Sequence, residues 1–347
     1  MASYKETFWN NYIPDLTTST GKPMGFCHKF ITGKYWYLRL RALERSDVYM
    51  QDKRKRVPAN NKGIQDIILD FLYQTRPGSF LLKILIKPEL SGLAGKFMDS
   101  RFSKLLIQPF IKYNNINMEE FEKCKYRSFN EFFTRKIKKG KRHFSLKDSD
   151  LCSPCDAKLS VYKITKNSSF IVKGTHYNME SLTKSHKLAQ YYEGGTLCIF
   201  RLCVDDYHRY AYIDYGKQKK NYKIPGVLHT VHPKALGKYP VYKENSREFS
   251  ILHSKNFGKV LMMEVGAMLV GRICNYNKET HAVRGQEKGK FEYGGSTIIL
   301  AFKKDMVNID GEIINNSRYG YETIVKMGEV IGQKKESKEH KYGNPNI

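Results

Sequence analysis

Two glycines open an apolar run in the stretch Glu292-Tyr293-Gly294-Gly295-Ser296-Thr297-Ile298-Ile299-Leu300. Glycine adopts backbone torsions that are closed to other residues, and it lets neighbouring groups approach closely. The stretch therefore predicts a tight turn that leads into a buried strand beginning at Ser296. One interpretation is an ordinary hairpin turn, and the other is a serine placed to attack its own preceding carbonyl.

Short β-rich runs of the same kind recur from about residue 150 onward, with glycines between them. They cover residues 159–164, 170–172, 196–201, 259–265, 268–273 and 296–302. Runs of this length between turn residues are typical of strands. We therefore expect a β-rich domain over residues 150–333. The charged, apolar-poor residues 334–347 are predicted to be a disordered tail.

The first 135 residues have a different pattern, in which apolar residues recur at helical spacing. The spacing is clearest in Ile64, Ile67, Ile68, Phe71 and Leu72. Basic and apolar residues are mixed in residues 35–41 and 80–87, as on helices that lie on anionic membranes. A helix packed in its own core with a solvated basic face is the alternative. The fold prediction is α+β: a helical, basic, membrane-associating region over residues 1–135, then a β-rich, barrel-like or sandwich-like domain.

Charge limits the classes of partner. The 347 residues include 60 lysines and arginines against 34 aspartates and glutamates, so the formal net charge is +26. This excess indicates an anionic partner: nucleic acid, a membrane surface or an acidic substrate. No run reaches the roughly 18–20 apolar residues of a membrane-spanning helix, and the first residues lack the apolar core of a signal peptide. We therefore expect a protein that stays in the compartment where it is made.

Cysteine usage argues against disulfides and metal. The seven cysteines are an odd number scattered along the chain, which favours reduced thiols. Cys152 and Cys155 form one CxxC pair, but no second pair stands at a zinc-binding spacing, so we expect no metal site. Asp156 follows directly, after a proline turn, at a position where an aspartate can orient a histidine. A simple turn aspartate is the alternative.

Histidines offer candidates for a general base. His208 lies between two acids and an arginine, directly after the apolar run at residues 197–202. A histidine in such surroundings at a strand end is a better base candidate than an isolated one, although a structural histidine is the alternative. His229 and His232 follow further along the chain, and their spacing does not require a metal because no third ligand is evident.

The motifs occur in an order that resembles the phosphatidylserine decarboxylases, a family of pyruvoyl-dependent lyases. The matching segments are residues 126–135, 153–156, 170–174, 206–209, 244–247, 263–267 and 294–297. Each segment is weak alone, but their common order between about residue 105 and residue 332 is specific. The first hundred residues carry less of the resemblance.

The resemblance implies a proenzyme that cuts itself between Gly295 and Ser296. Ser296 Oγ would attack the Gly295 carbonyl, and β-elimination would then separate residues 1–295 from residues 296–347. The new terminus would be a covalent pyruvoyl group derived from Ser296, and this group would serve as the cofactor. It would form a Schiff base with the amine of phosphatidylserine, and loss of CO2 would give phosphatidylethanolamine.

The resemblance also assigns the supporting residues. Asp156 would orient a histidine and His208 would activate Ser296, with His229, Gly294 and Thr297 as supporting residues. Many family members have a second histidine three residues after the position of His208, where this chain has Ala211. The choice of base therefore stays open between His208 and His229, and His208 is favoured.

The implied partner is phosphatidylserine in an anionic membrane, with the enzyme peripheral on the cytoplasmic face of the cell membrane. The two chains would stay associated after cleavage, a homodimer is left open, and no nucleic acid is expected. Two other functions fit the composition. One is a catalytically inactive membrane-binding relative, motivated by Ala211, and the other is a basic nucleic-acid-binding protein, which no recognised motif supports.

Overall fold

The computed structural model describes residues 55–58, 64–172, 174–237, 239–268, 272–292 and 296–336. These residues belong to one compact unit, Arg54–Ile347. The predicted basic segment at residues 35–41, the two glycines Gly294 and Gly295, and residues 337–347 of the predicted tail lie outside the described residues. The proposed division at residues 135, 150 and 333 stays a prediction.

Helices make up most of the described chain before residue 134. They are α1 (Ile64–Gln74), α2 (Arg76–Leu85), α3 (Pro88–Asp99), a 3-10 helix (Arg101–Leu106), α4 (Ile107–Tyr113), a short 3-10 helix (Met118–Glu120) and α5 (Phe129–Phe133). Ser128 caps the start of α5, since its hydroxyl accepts a hydrogen bond from the Glu131 backbone N–H at 3.2 Å. In the described part of the chain, no helix combines the length and apolarity needed to cross a membrane.

Strands dominate from residue 150. They are β1 (Arg56–Pro58), β2 (Asp150–Cys152), β3 (Ala157–Lys163), β4 (Ser169–Val172), β5 (Thr175–Asn178), β6 (Thr196–Leu202), β7 (Arg209–Ala211), β8 (Gly216–Gln218), β9 (Tyr222–Ile224), β10 (Arg247–Ser254), β11 (Gly258–Val265), β12 (Arg272–Asn275), β13 (Thr280–Ala282), β14 (Glu287–Glu292), β15 (Ser296–Phe302), β16 (Val307–Ile309), β17 (Tyr321–Val325) and β18 (Val330–Lys334). Between them lie α6 (Met179–Thr183), α7 (His186–Tyr192), α8 (Pro233–Leu236), α9 (Val241–Glu244), α10 (Gly311–Arg318) and a 3-10 helix (Lys166–Ser168).

Ten strands form one large antiparallel sheet in the order β1-β17-β3-β6-β15-β11-β10-β8-β13, with β9 also beside β10. Two three-stranded sheets, β12-β14-β7 and β16-β18-β2, and the pair β4-β5 complete the described strands. The path of the large sheet ends at β1 and β13, so among the described strands it is open and not a closed barrel. The prediction of an α+β protein with sandwich-like sheets is confirmed.

β15 lies at the centre of the large sheet, and both of its faces are buried. Ile299 and Ala301 pack into a core shared with the helices α1, α2 and α6 to α9. Ile298, Leu300 and Phe302 point to the other face, where the small sheets and α10 cover them. Because successive side chains of a strand alternate between faces, a strand covered on both sides has a continuous apolar sequence. This explains why residues 296–302 form the apolar run from which the strand was predicted.

One predicted strand differs from the structure. Residues 268–273 were expected to continue as a strand, whereas β12 begins at Arg272 and belongs to a small sheet. The chain leaves the large sheet after Val265, so an apolar run here spans a change of sheet and not a single strand.

Candidate active site

Several segments begin or end at one edge of the large sheet, the edge that is formed by the strand ends around Ser296. Ser296 is the first residue of β15 and pairs with Leu202, the last residue of β6. The segment that carries His208 follows Leu202 directly. Asp156 precedes β3, which pairs with β6 near this same end through Lys158 and its neighbours. The fold therefore brings the three predicted catalytic residues to one edge of the sheet.

The Ser296 hydroxyl is buried without a partner in the described structure. Its side chain has no solvent exposure, and among the described residues its Oγ makes no hydrogen bond. The Thr297 hydroxyl, next in β15, is in the same condition. An unsatisfied buried hydroxyl costs about 1–3 kcal/mol, so each one calls for an explanation. The serine chosen from sequence is therefore buried and makes no hydrogen bond to another described residue.

His208 is fully buried and its tautomer is set by the backbone. Its Nδ1 lies 2.9 Å from the Asp206 carbonyl oxygen. A carbonyl only accepts, so Nδ1 donates its hydrogen and the neutral ring carries its lone pair on Nε2. The ring packs against Phe133 at 4.1 Å between centroids. The His208 carbonyl also accepts from the Phe291 N–H at 2.9 Å, which ties the histidine to β14, the strand that precedes Ser296.

Asp156 is buried and held by two cations. Arg142 donates from Nε to Oδ1 at 3.0 Å and from Nη2 to Oδ2 at 2.7 Å. Lys326 Nζ donates to Oδ2 at 3.1 Å, and the Met327 N–H donates to Oδ1 at 2.8 Å. Burial by itself raises the pKa of Asp156, but the hydrogen bonds from Arg142 and the charge of Lys326 outweigh it and lower that pKa. Among the described residues, the hydrogen-bond partners of Asp156 do not include a histidine.

Ala211 stands where the resemblance expects a histidine, and it lies close to the Asp156 segment. It is buried, and its N–H donates to the Pro154 carbonyl at 2.9 Å. With a methyl group there, Arg142 and Lys326 provide the groups that neutralise Asp156. Sequence reasoning missed both: Arg142 lies between the predicted regions 1–135 and 150–333, and Lys326 follows β17 with no distinguishing pattern.

His229 reaches the same edge of the sheet but is built into the fold. Its backbone N–H and carbonyl both bond to the Asn245 side chain, at 2.9 and 2.7 Å, and Asn245 also donates to the Gly266 carbonyl at 2.7 Å. The ring Nδ1 lies 3.3 Å from the Tyr73 hydroxyl, and Nε2 lies 3.6 Å from Glu244. Burial lowers the pKa of His229 to about 4, so the ring is neutral at pH 7.

Comparison with known proteins decides the family. A sequence profile described as phosphatidylserine decarboxylase matches residues 129–333, more than half of the chain. The chain belongs to the phosphatidylserine decarboxylase family. It is similar to phosphatidylserine decarboxylase proenzyme 2 of Clostridium acetobutylicum, with 47% identity over 266 residues that make up 76% of this chain and 91% of that protein.

Two further relatives are named phosphatidylserine decarboxylase proenzyme. The protein of Clostridium botulinum strain Hall is 42% identical over 273 residues, which cover 77% of this chain and 92% of the relative. The protein of Clostridium novyi strain NT is 40% identical over 289 residues, which cover 82% of this chain and 98% of the relative. The family predicted from the motifs is confirmed.

In this phosphatidylserine decarboxylase family member, a buried polar network flanks the candidate site. Lys288 on β14 donates to Glu264 on β11 at 2.8 Å and to the Asn275 side-chain oxygen at 2.6 Å. Asn275 in turn donates to Glu248 at 2.9 Å and to Glu264 at 3.1 Å, and it accepts from the Tyr210 hydroxyl at 3.2 Å. The network joins the large sheet to the small sheet that leads to Ser296. The motif at residues 263–267 contains Glu264, but no sequence pattern indicated its partners.

Proposed function

We propose that this chain is a phosphatidylserine decarboxylase proenzyme that cuts itself before Ser296 and then converts phosphatidylserine to phosphatidylethanolamine and CO2. Family membership supports the reaction class, a carboxy-lyase. The observation that supports Ser296 as the residue at the cut is its buried hydroxyl, which makes no hydrogen bond to any other described residue.

Self-cleavage begins when Ser296 Oγ loses its proton to a base and attacks the Gly295 carbonyl carbon. The C–N bond between the two residues breaks, the nitrogen takes a proton, and an ester joins Gly295 to Oγ. Removal of the α-hydrogen of residue 296 then expels the Gly295 carboxylate, which ends the chain of residues 1–295. Water replaces the nitrogen of the resulting dehydroalanine, so ammonia leaves and a pyruvoyl group begins the chain of residues 296–347.

His208 is the proposed base because its Nδ1–H is committed to the Asp206 carbonyl and its Nε2 carries the lone pair. His229 is a weaker candidate, since burial lowers its pKa to about 4 and a general base works best with a pKa near the operating pH. We propose that Asp156 has a positioning role. The hydrogen bonds of its carboxylate to Arg142, Lys326 and the Met327 N–H fix the chain directly before β3.

Once made, the pyruvoyl group supplies a carbonyl that takes the substrate amine and an electron sink for the loss of CO2. Ser296 fits the origin of such a group because it is buried, which keeps water away from a reactive carbonyl. The Thr297 hydroxyl, which makes no hydrogen bond in the described structure, is available to donate one there. His208 is the residue we propose to hold a proton and return it to the substrate carbon.

A peripheral membrane position is also proposed, from the helices between residues 76 and 113. They expose large apolar side chains, among them Phe80, Leu93, Phe97, Phe102 and Leu105. Phe102 is 77% exposed, and basic residues such as Arg101 and Lys104 lie beside it. Exposed apolar residues next to cations are typical of surfaces that enter an anionic lipid interface, where each cation adds about 1 kcal/mol. The cytoplasmic face stays a prediction.

The test is the intact mass of the purified full chain. An active proenzyme yields two chains, the smaller one blocked to Edman degradation and reducible by borohydride. Ser296→Ala should remain a single species near 40.4 kDa. Ser250→Ala, which changes another buried serine of the same sheet, is the matched control and should be cut normally.

A wild-type chain that stays whole and carries no reactive carbonyl would refute the proposal. If that uncut chain still bound anionic vesicles, the inactive membrane-binding alternative would be supported. Steep salt-dependent binding to RNA or DNA but not to vesicles would support the nucleic-acid alternative.

A further inference from the structure

A cavity lies beside the candidate active site, where α3 and α5 meet β7 and β14. Its volume is about 600 Å³, and its basic lining residues are Arg127, Arg135, Lys136, Arg209 and Lys290. Three acidic residues, Asp99, Glu122 and Glu131, also line it. Two of the cations are already paired outside the lining, Arg209 with Glu287 at 2.6 Å and Lys290 with Glu292 at 3.0 Å. Ser296, Asp156 and His208 are not among the lining residues, so the cavity is distinct from the candidate active site.

Arg135 is the unusual member of this lining. It is 2% exposed, and its guanidinium lies over the rings of Phe121 at 4.2 Å and Phe132 at 5.0 Å. Its Nη2 reaches the Asp205 carbonyl at a long 3.4 Å, and its Nε and Nη1 have no hydrogen-bond partner in the described structure. Burial lowers the pKa of Arg135 to about 10, so it is still charged at pH 7. A buried cation with unused donors normally has an anion to pair with.

The acidic residues of the cavity do not supply that anion. Glu131 accepts from the Arg127 backbone N–H at 2.5 Å, and Asp99 accepts from the Asn130 amide at 2.9 Å. Both carboxylates therefore already have neutral donors. Among the described residues Glu122 forms no ion pair with Arg135 either, so the Nε and Nη1 donors of Arg135 stay unused there.

The surroundings favour a phosphate. Arginine presents N–H groups in a planar fork that matches phosphate oxygens. Asp99, one lining residue, ends α3, and the exposed Phe97 and Phe102 lie two residues before it and three residues after it in sequence. The cavity thus adjoins the apolar surface proposed to enter the lipid interface.

We propose that this cavity binds a phosphate group, with Arg135 as its principal ligand. The phosphate is that of a phospholipid headgroup or free phosphate. Binding of a phospholipid headgroup rests on the proposed function, whereas binding of free phosphate does not. Arg209 joins the cavity to the active site, because it follows His208 directly and donates from Nε to the Thr134 carbonyl at 2.8 Å.

The test measures binding of inorganic phosphate and of glycerophosphoserine to the full chain by calorimetry. The Ser296→Ala chain is measured as well, so that binding is read whether or not cleavage occurs. Arg135→Met keeps the apolar stem over the two rings and removes the donors, and we expect it to weaken phosphate binding roughly 10- to 100-fold. Arg135→Lys, which keeps the charge without the fork, should fall between Arg135→Met and the wild type.

A rim variant keeps the test decisive if Arg135→Met does not fold. Lys136→Gln removes an exposed charge of the lining and should weaken phosphate binding several-fold, whereas Lys219→Gln removes an exposed charge outside the cavity and should not. Equal phosphate binding by the wild type, Arg135→Met and Lys136→Gln would overturn the proposal, as would a wild type that binds neither probe.

The source of the phosphate is read from kinetics with vesicles of phosphatidylcholine and phosphatidylserine. If Arg135→Lys has a raised KM for phosphatidylserine and unchanged self-cleavage, the cavity binds the phosphate of the lipid headgroup. If its KM is unchanged but it binds inorganic phosphate more weakly, the cavity binds free phosphate. Failure of the proposed function would instead appear as an uncut wild-type chain, independently of either binding result.

Discussion

Removing the buried lysine of the polar network tests how the strand before Ser296 is held. Lys288 and Glu264 are 1% and 0% exposed in their side chains and lie 2.8 Å apart. Lys288→Met leaves Glu264 buried without its cation, and burial already raises the pKa of that carboxyl despite the lysine. Breaking a buried ion pair in this way costs about 3–5 kcal/mol, a large part of the roughly 5–15 kcal/mol by which domains are stable.

The measurement is the urea midpoint of the uncut Ser296→Ala chain with and without Lys288→Met. The double variant Glu264→Gln/Lys288→Met removes both charges and should recover part of the loss, because no unpaired charge is then buried. Lys255→Met removes one partner of a surface pair with Asp148 at 2.9 Å and should hardly move the midpoint. A Lys288→Met midpoint equal to that of Lys255→Met, or a double variant less stable than Lys288→Met alone, would refute the reasoning.

Four further outcomes are expected. His208→Ala should slow self-cleavage by about 100-fold or more, because the general base is lost, while His229→Asn should be cut at nearly the wild-type rate. A time course of intact mass checks both variants. Rapid cleavage of His208→Ala would contradict the assignment of His208 as the base. The folded pKa of His229 is lowered from 6.5 to about 4, so about 3 kcal/mol of stability is present above pH 6.5 and is lost as the pH falls to 4. His229→Asn should flatten that part of the curve of unfolding free energy against pH, and an unchanged slope would count against the buried neutral ring. Phe102→Ser should weaken binding to anionic vesicles about tenfold, whereas Tyr319→Ser, which removes an exposed aromatic ring from the β-rich part, should not. Vesicle flotation measures both affinities. An equal loss of vesicle binding in the two variants would argue against a membrane surface on the helices. After cleavage the two chains should co-elute in gel filtration and separate in denaturant, and separation without denaturant would contradict the interleaved sheet.

The sequence predicted what local pattern determines. The apolar run at residues 296–302 coincides with β15, because burial on both faces requires an uninterrupted apolar strand. The cap of α5 is local in the same sense, because Ser128 and Glu131 lie three residues apart. The order of the motifs was enough to identify the family, which the comparisons confirm.

The partners of buried charges could not be predicted in the same way. Asp156 binds Arg142, 14 residues away, and Lys326, 170 residues away, and the Lys326 contact exists only once β3 and β17 pair. No local pattern marks either cation. Likewise, nothing in the run around Arg135 shows that its guanidinium is buried over two rings with donors unused. Such features depend on tertiary packing, which spacing does not encode.

The position of the proposed cut explains how an enzyme can survive the loss of a backbone bond. β14, before the cut, pairs with β7 and β12 in a small sheet, whereas β15, after it, pairs along its whole length with β6 and also with β11 in the large sheet. The new ends are therefore held by different sheets, and neither depends on the broken bond. Downstream of β15, β17 pairs with β3 and β18 pairs with β2, so the short chain is interleaved with the long one. Separating them would require unpairing a central strand buried on both faces, and the pyruvoyl terminus would thus stay at the edge of the sheet that holds His208.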